Sequence, residues 1–168
     1  MTMGLSKEDI KIISQAVDDH FERREKRKQK ERRDWRLRNT KLLLEKYRFL
    51  KAHCEDIPIE IEELETTTIF DIKDLTLETL LEHKAKSFKL LRYLDGIIMA
   101  YQNLCKVSNE AAKRRCKAIE KFYLEDAMVS QNKLADELHI DRRTLGRDIE
   151  RAIEELSIML FGVDAILG

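Results

Sequence analysis

The chain has 168 residues, 43% hydrophobic and 38% charged, with 32 Lys+Arg against 32 Asp+Glu, so its formal net charge is zero. That length suits one or two small helical domains and excludes a large enzyme built around a deep cleft; five glycines and one proline, Pro58, leave few hairpin turns, so an all-α fold is expected. No run approaches the roughly eighteen apolar residues of a membrane span and the N-terminus lacks the apolar core of a secretory signal, which predicts a cytoplasmic protein with no membrane partner.

The zero sum conceals segregation along the chain. Residues 1–54 hold 16 Lys+Arg against 9 Asp+Glu, a balance of +7, whereas residues 55–80 hold 1 against 9, a balance of −8. The local field, more than the total, decides which partners approach. Cys54, Cys105 and Cys116 are odd in number and form no C-x-x-C pair. His20, His53, His83 and His139 stand away from them, the His53-Cys54 neighbours excepted, so reduced thiols are expected and no metal site. Cys105 and Cys116 fall among apolar helical positions, where a thiol behaves as a small hydrophobe.

In chain order, SKEDIKIISQAVDDHF from Ser6 reads as an amphipathic helix, capped by Ser6 and Asp9, with a stripe of Ile10, Ile13, Val17 and Phe21 that calls for a partner. It enters ERREKRKQKERRD, Glu22 to Asp34, which has no apolar residue and is either a solvated helix laced by i,i+4 pairs or a flexible basic arm. On a functional reading, Arg23, Arg24, Lys26, Arg27, Lys28, Arg32 and Arg33 contact phosphates and add affinity without sequence preference. The competing reading is a solvated face.

Periodicity returns at Trp35. Leu43, Tyr47, Leu50 and Cys54 recur at three- and four-residue intervals, with Leu42 and Leu44 beside them, and predict a packing helix. Trp35, Tyr47 and Phe49 interleaved with Arg36, Arg38 and Arg48 also fit a stacking surface for single strands, but the spacing favours burial. Around Pro58 the pattern breaks into an acidic connector in which Ile57, Ile59 and Ile61 alternate for a few residues.

From about Leu75 to Cys105, the set Leu77, Leu81, Phe88, Leu91, Leu94, Ile98, Tyr101 and Leu104 predicts a long helix with a coiled-coil-like seam. Gly96 within it implies close packing or a bend. The seam fits either an intramolecular bundle with the Leu42 to Leu50 helix or a homodimer. Ser108 is expected to cap a fresh helix with Cys116, Ile119 and Tyr123 on one side and Lys113, Arg114 and Lys117 on another.

The last third is the most informative. In SQNKLADELHIDRRTLGRDIERAIEELSIML, Leu134, Ala135 and Leu138 share one face of a short helix, Ile140 follows a turn at His139, and Leu145 and Ile149 recur on a second helix. Ala135 leaves room for two helices to cross steeply. Ser130 and Asp141 are placed to cap the two helices. This is the pattern of a helix-turn-helix, in which Arg142, Arg143, Thr144 and Arg147 stand on the outward N-terminal part of the recognition helix, with Asn132, Lys133 and Arg114 as further DNA-binding candidates. Arginine suits the role because its fork donates two hydrogen bonds to guanine O6 and N7. The competing reading is an ordinary helical hairpin with a solvated basic rim. The helix continues through Ala152, Ile153, Leu156 and Leu160 to Gly162, a C′ candidate, and its apolar distal half must pack on the bundle or a second subunit.

The expected organisation is therefore a basic N-terminal helical region (1–54), an acidic connector (55–75), a long bundle helix (76–107) and a C-terminal trihelical helix-turn-helix domain (108–168).

DWRLRNTKLLLEKYRFLKAHCE, LADELHIDRRTLGRDIERAIEELS and the closing LFGVDAILG together resemble phage-encoded transcription regulators of the ArpU and RinA type, whose C-terminal domains are similar to region 4 of sigma factors. The resemblance implies control of late phage or prophage genes through promoter DNA, with RNA polymerase as a further partner. Two residues depart from that pattern: His139 stands at a turn position where many such motifs have glycine, and Gly146 interrupts the recognition helix. A phage DNA-packaging recognition subunit, which would form a ring of many copies, and a helical adaptor that binds only protein are the alternatives. No carboxylate pair, nucleophile with base, phosphate loop or metal cluster stands at working spacing, so neither an enzyme nor a cofactor is expected.

Overall fold

The first helix begins where Ser6 and Asp9 exchange hydrogen bonds: the Asp9 N–H donates to Ser6 Oγ at 3.1 Å and the Ser6 N–H to Asp9 Oδ2 at 3.0 Å. This reciprocal cap satisfies donors that a first turn leaves unpaired. The Ser6 hydroxyl, and after it the Ser6 N–H, holds the Asp9 carboxyl below its ordinary value.

The computed structural model describes residues 6–55 and 84–162, which form six α-helices and one π-helical turn with no strand among them. The helices are α1 (Lys7–Glu45), α2 (Tyr47–Glu55), α3 (Lys84–Lys106), α4 (Glu110–Ile119), α5 (Gln131–Glu137) and α6 (Arg142–Phe161), with the π-helical turn Glu120–Leu124 following α4. The protein is thus all-α over this range. The acidic connector from residue 56, with Ile57, Ile59 and Ile61, the stretch carrying Leu77 and Leu81, and the end of LFGVDAILG from residue 163 lie outside the described residues.

Two compact units are present, one ending at Trp35 and the other comprising Arg36–Leu167. In the first, the basic stretch Glu22 to Asp34 is helical, so it is a solvated helix and not an irregular arm. Lys26 Nζ lies 3.6 Å from the Glu22 carboxylate, an exposed i,i+4 pair. Such a pair is worth only about 0.2–0.5 kcal/mol. Ile10, Ile13, Val17 and Phe21 do form a stripe, and each is 45–61% exposed.

The second unit owes its core to a repeating inward face. On α3, Ser87, Leu91, Leu94, Ile98, Tyr101 and Cys105 alternate at four and three residues, and all are buried. This is the seam that a 3.5-residue repeat produces. It differs from the expected set at two positions: Leu104 is 57% exposed, its inward place taken by Cys105, and Phe88 is only half-buried, with the Arg92 guanidinium 5.9 Å from its ring centroid. α3 runs through Gly96 without interruption, and a Cβ there would meet nothing within 4 Å, so close packing does not account for this glycine.

Leu44, Tyr101 and Cys105 join Cys116, Ile119, Tyr123, Leu134, Ala135, Leu145, Ile149, Ala152 and Leu156 in one core. The C-terminal three helices therefore share their interior with α1 and α3, and the core crosses the boundary expected at residue 107. α4 starts one residue later than expected: Asn109 is the cap, accepting from the Ala112 N–H at 2.9 Å, while the Ser108 hydroxyl donates back to the Leu104 carbonyl.

Trp35 is half-buried; Tyr47 is buried and donates to Asp95 at 2.6 Å while Phe49 is 60% exposed, so these last two rings do not share one stacking face. Burial pushes the Cys116 thiol up to about 12, with the Glu120 carboxylate adding to the effect, which keeps it protonated and unreactive.

Leu145 has no exposed surface. Leu145→Ala should lower stability by about 2–5 kcal/mol through lost transfer energy and the cavity left behind. Urea denaturation checks this, and an unchanged midpoint would remove Leu145 from the centre of the unit.

Candidate nucleic-acid interface

The segment Ser130 to Phe161 is positioned from behind by α4. Arg114 on α4 forms a fork with Asp148 on α6, Nε to Oδ2 at 2.6 Å and Nη2 to Oδ1 at 3.3 Å. Two helical turns further along α6, Glu155 accepts from Tyr101 of α3 at 2.8 Å and from Arg115 of α4 at 2.9 Å. The Arg48 guanidinium donates to the carbonyls of Phe122 and Glu125, closing carbonyls that the π-helical turn and its exit leave open. Lys121 in that turn pairs with Glu137 of α5 at 2.9 Å. The contacts at Asp148 and Glu155 fix the azimuth of α6, and hence which of its residues face outward.

Within the segment each helix end is closed by its own side chains. Ser130 Oγ accepts from the Lys133 N–H, and Asp141 Oδ1 accepts from the Thr144 N–H at 2.9 Å while Oδ2 accepts from the Thr144 hydroxyl at 2.6 Å. Between them, the His139 N–H donates to the Asp136 carbonyl at 3.1 Å and the Ile140 N–H to the Ala135 carbonyl at 3.0 Å. His139 has φ 54°. That pair of bonds around a left-handed residue is a Schellman ending. The chain reverses in four residues with its polar groups satisfied, although the left-handed position is occupied by a residue with a Cβ. Leu134, Ala135 and Leu145 are buried where α5 meets α6.

The predicted contact residues separate into four groups. Arg142, Arg143, Arg147, Asn132 and Lys133 are exposed at the N-terminal ends of α5 and α6. Arg142 Nε reaches Gln131 Oε1 at 3.3 Å, which ties those two ends together. Thr144 is half-buried with its hydroxyl donated to the Asp141 cap, so it holds the helix start and does not project outward. Arg114 is held by Asp148, and the hydrogen bond raises the pKa of its guanidinium further. Arg23, Arg24, Lys26, Arg27, Lys28, Arg32 and Arg33 belong to the other unit, where all are exposed on α1. There His20, Arg23, Arg24 and Arg27 share one face at i, i+3, i+4 and i+7 spacing.

Sequence reasoning overlooked Asp148 and Glu150. Asp148 follows Leu145 by three residues and so falls on the apolar stripe, and an acid there demands an inward partner; that signal was legible, though the identity of the partner was not. Glu150 is exposed one turn beyond Arg147, on the same side as Arg143. Gly146 sits among them in an unbroken helix, where glycine costs roughly 1 kcal/mol relative to alanine. Among the described residues no cluster of three or more His, Cys, Asp or Glu can hold a metal ion, and no helix is long and apolar enough to cross a membrane. The chain matches no protein-family model, no curated protein and no solved structure.

His139→Gly should stabilise the unit by about 0.5–1 kcal/mol, the left-handed penalty of roughly 1–2 kcal/mol being partly offset by glycine's larger unfolded-state entropy. A thermal melt reads this directly, and a lower Tm would show that the imidazole makes a contact worth more than the strain.

The Thr144 hydroxyl, and after it the Thr144 N–H, holds the Asp141 carboxyl below its ordinary value of 3.8. A depressed carboxyl stabilises fully above the unfolded pKa and loses that contribution as pH falls through the folded one. The stability difference between the wild type and Asp141→Asn should therefore be flat near neutrality and shift in the acid range. Parallel pH profiles for the two proteins would show that the cap works without its charge.

Proposed function

We propose that α5, its turn and α6 are a helix-turn-helix, that α6 is its recognition helix, and that the protein is a sequence-specific binder of double-stranded DNA. The observation that carries this reading is the state of Arg143 and Arg147. They stand one turn apart on the N-terminal half of α6, exposed and with no side-chain partner among the described residues, while Leu145 and Ile149 are buried behind them. A helix held from the rear with two unpaired guanidinium groups in front matches what a major groove accepts. Asn132 and Lys133 at the start of α5, together with Arg142, are assigned to phosphates, which fix orientation without reading sequence. The basic face of α1 is assigned to further phosphate contacts, and their number would appear in the salt dependence. Arg114 and Thr144 are reassigned to holding and capping α6.

Within that reading, the likeness of the three quoted segments to ArpU- and RinA-type regulators supports a role in transcription of phage or prophage late genes, with RNA polymerase as the second partner. Sequencing of genomic fragments recovered with the protein tests this role. A single enriched site upstream of phage structural genes is the expected result, and uniform recovery would reduce the protein to a non-specific clamp. A ring of many subunits in solution would move the assignment to DNA packaging.

Two arginines with different assignments separate reading from holding. Arg143→Ala should cost about 1–3 kcal/mol on the selected site and little on unrelated duplex, and should relax preference at one or two base pairs. Arg114→Ala should instead lower the melting temperature, because it leaves Asp148 without its partner. Competition binding at fixed salt distinguishes them, and equal loss of specific and non-specific affinity in Arg143→Ala would rule out direct readout at that position.

A further inference from the structure

The outward face of α6 carries Arg143, Arg147 and Glu150 at i, i+4 and i+7, all exposed. A solvated helix face commonly sets opposite charges one turn apart, as α1 does with Glu22 and Lys26 and with Lys41 and Glu45. On α6 the same spacing brings like charges together, at Arg143 and Arg147, at Arg147 and Arg151, and at Glu150 and Glu154, which is destabilising within a helix. The first turn holds Arg142 and Arg143 and no acid, although the helix dipole favours anions there. Internal pairing relieves only part of this. Asp148 binds Arg114, Glu154 and Glu155 both meet Arg151, and Glu155 also accepts from Tyr101 and Arg115. Glu150 is the one acid of α6 with no hydrogen-bond or ion-pair partner among the described residues, and it does not pair even with Arg147, three residues before it.

We propose that Glu150 is a specificity-determining residue whose carboxylate accepts from the exocyclic amino group of a cytosine in the major groove. The proposal rests on the DNA-binding reading and deepens it. An ionised carboxylate only accepts hydrogen bonds, so on a duplex it is repelled by every phosphate and matched by amino groups alone. Cytosine presents its N4 amino group with no acceptor beside it, whereas adenine sets the N7 acceptor next to its N6 amino group, where it opposes the second carboxylate oxygen. Arg143 and Arg147 donate to guanine and Glu150 accepts from cytosine, so one helix face of both signs reads both kinds of edge. The repulsion between Glu150 and the phosphates of a duplex that lacks this cytosine widens the gap between right and wrong sites.

Glu150→Gln and Glu150→Ala test this on duplexes that each protein selects from a randomised double-stranded library, with an unrelated duplex of equal length as control. The wild type should select a cytosine at one position. Glu150→Gln should change that position to adenine, because a carboxamide donates to N7 and accepts from N6 together, and Glu150→Ala should leave it without preference; the remaining positions should be the same for all three proteins. Affinity of Glu150→Ala for the wild-type duplex should fall about tenfold, equivalent to about 1.4 kcal/mol, while its affinity for the unrelated duplex rises, since a charge that repels phosphates is gone. Both variants should melt no lower than the wild type, because the side chain has no partner in the fold to lose. Identical selected sequences with both affinities raised alike would overturn the proposal and make Glu150 a boundary that the duplex skirts. Unchanged affinities would overturn it as well, leaving the residue in solvent, and so would a lowered melting temperature, by giving the carboxylate a role in the fold. Failure of the wild type to select any duplex would instead overturn the DNA-binding reading beneath it.

Discussion

What α6 presents depends on what α6 buries. Leu145, Ile149, Ala152, Ile153, Leu156 and Leu160 form a continuous inward stripe, all at or below 7% exposure. Fully burying a leucine or isoleucine side chain contributes roughly 1.5–3 kcal/mol, against a backbone ordering cost of about 1–2 kcal/mol per residue. A twenty-residue helix needs most of that stripe packed before it is stable, and once packed its opposite face is no longer free to choose its direction. The small residues matter as much as the large ones. Ala118, Ala135 and Ala152 are all at or below 4% exposure, and a bulkier side chain at any of them would hold neighbouring helices apart and misplace the turn.

The polar clasp refines what the apolar stripe begins. Hydrophobic burial is non-directional and tolerates rotation of a helix by a fraction of a turn, whereas the Arg114–Asp148 fork and the double acceptance at Glu155 are directional. Partly buried ion pairs contribute little net stability, because desolvation opposes the attraction. Their effect here is on orientation: they tie α3 and α4 to α6 at two levels along its length. Capping performs the same service at the ends, where Ser130, Asp141 and Gly162 close the helices, Gly162 with φ 70°.

Charge is used differently in the two units. In the second, Arg48, Arg114 and Arg115 each donate to a protein acceptor, and Arg36 is buried. In the first, the residues from Glu22 to Asp34 include no apolar side chain, and the helix presents its basic groups to solvent. Weak i,i+4 pairs and high intrinsic propensity suffice to keep such a segment helical, and they leave its positive field available to a polyanion.

Local signals were sufficient for much of this protein. The scarcity of glycine and proline settled the all-helical class; the pairs Ser6/Asp9, Ser130/Lys133 and Asp141/Thr144 announced three helix starts; and the spacing of Leu134, Ala135, Leu145 and Ile149 identified the face on which α5 and α6 meet. Each of these is a property of residues within one or two turns of each other, which is the range over which helical periodicity and capping act. Other features depended on residues far apart in the chain. Nothing near Arg114 distinguishes a phosphate ligand from a partner for Asp148, thirty-four residues away. The choice of Cys105 over Leu104 for the core, and the extension of that core across the expected boundary at residue 107, follow from how α3 rotates against α4 and α6. A repeat of apolar residues shows that a helix has an inward face, but which residue at its margin is buried is set by the helices packed against it, and that is a property of the assembled tertiary structure alone.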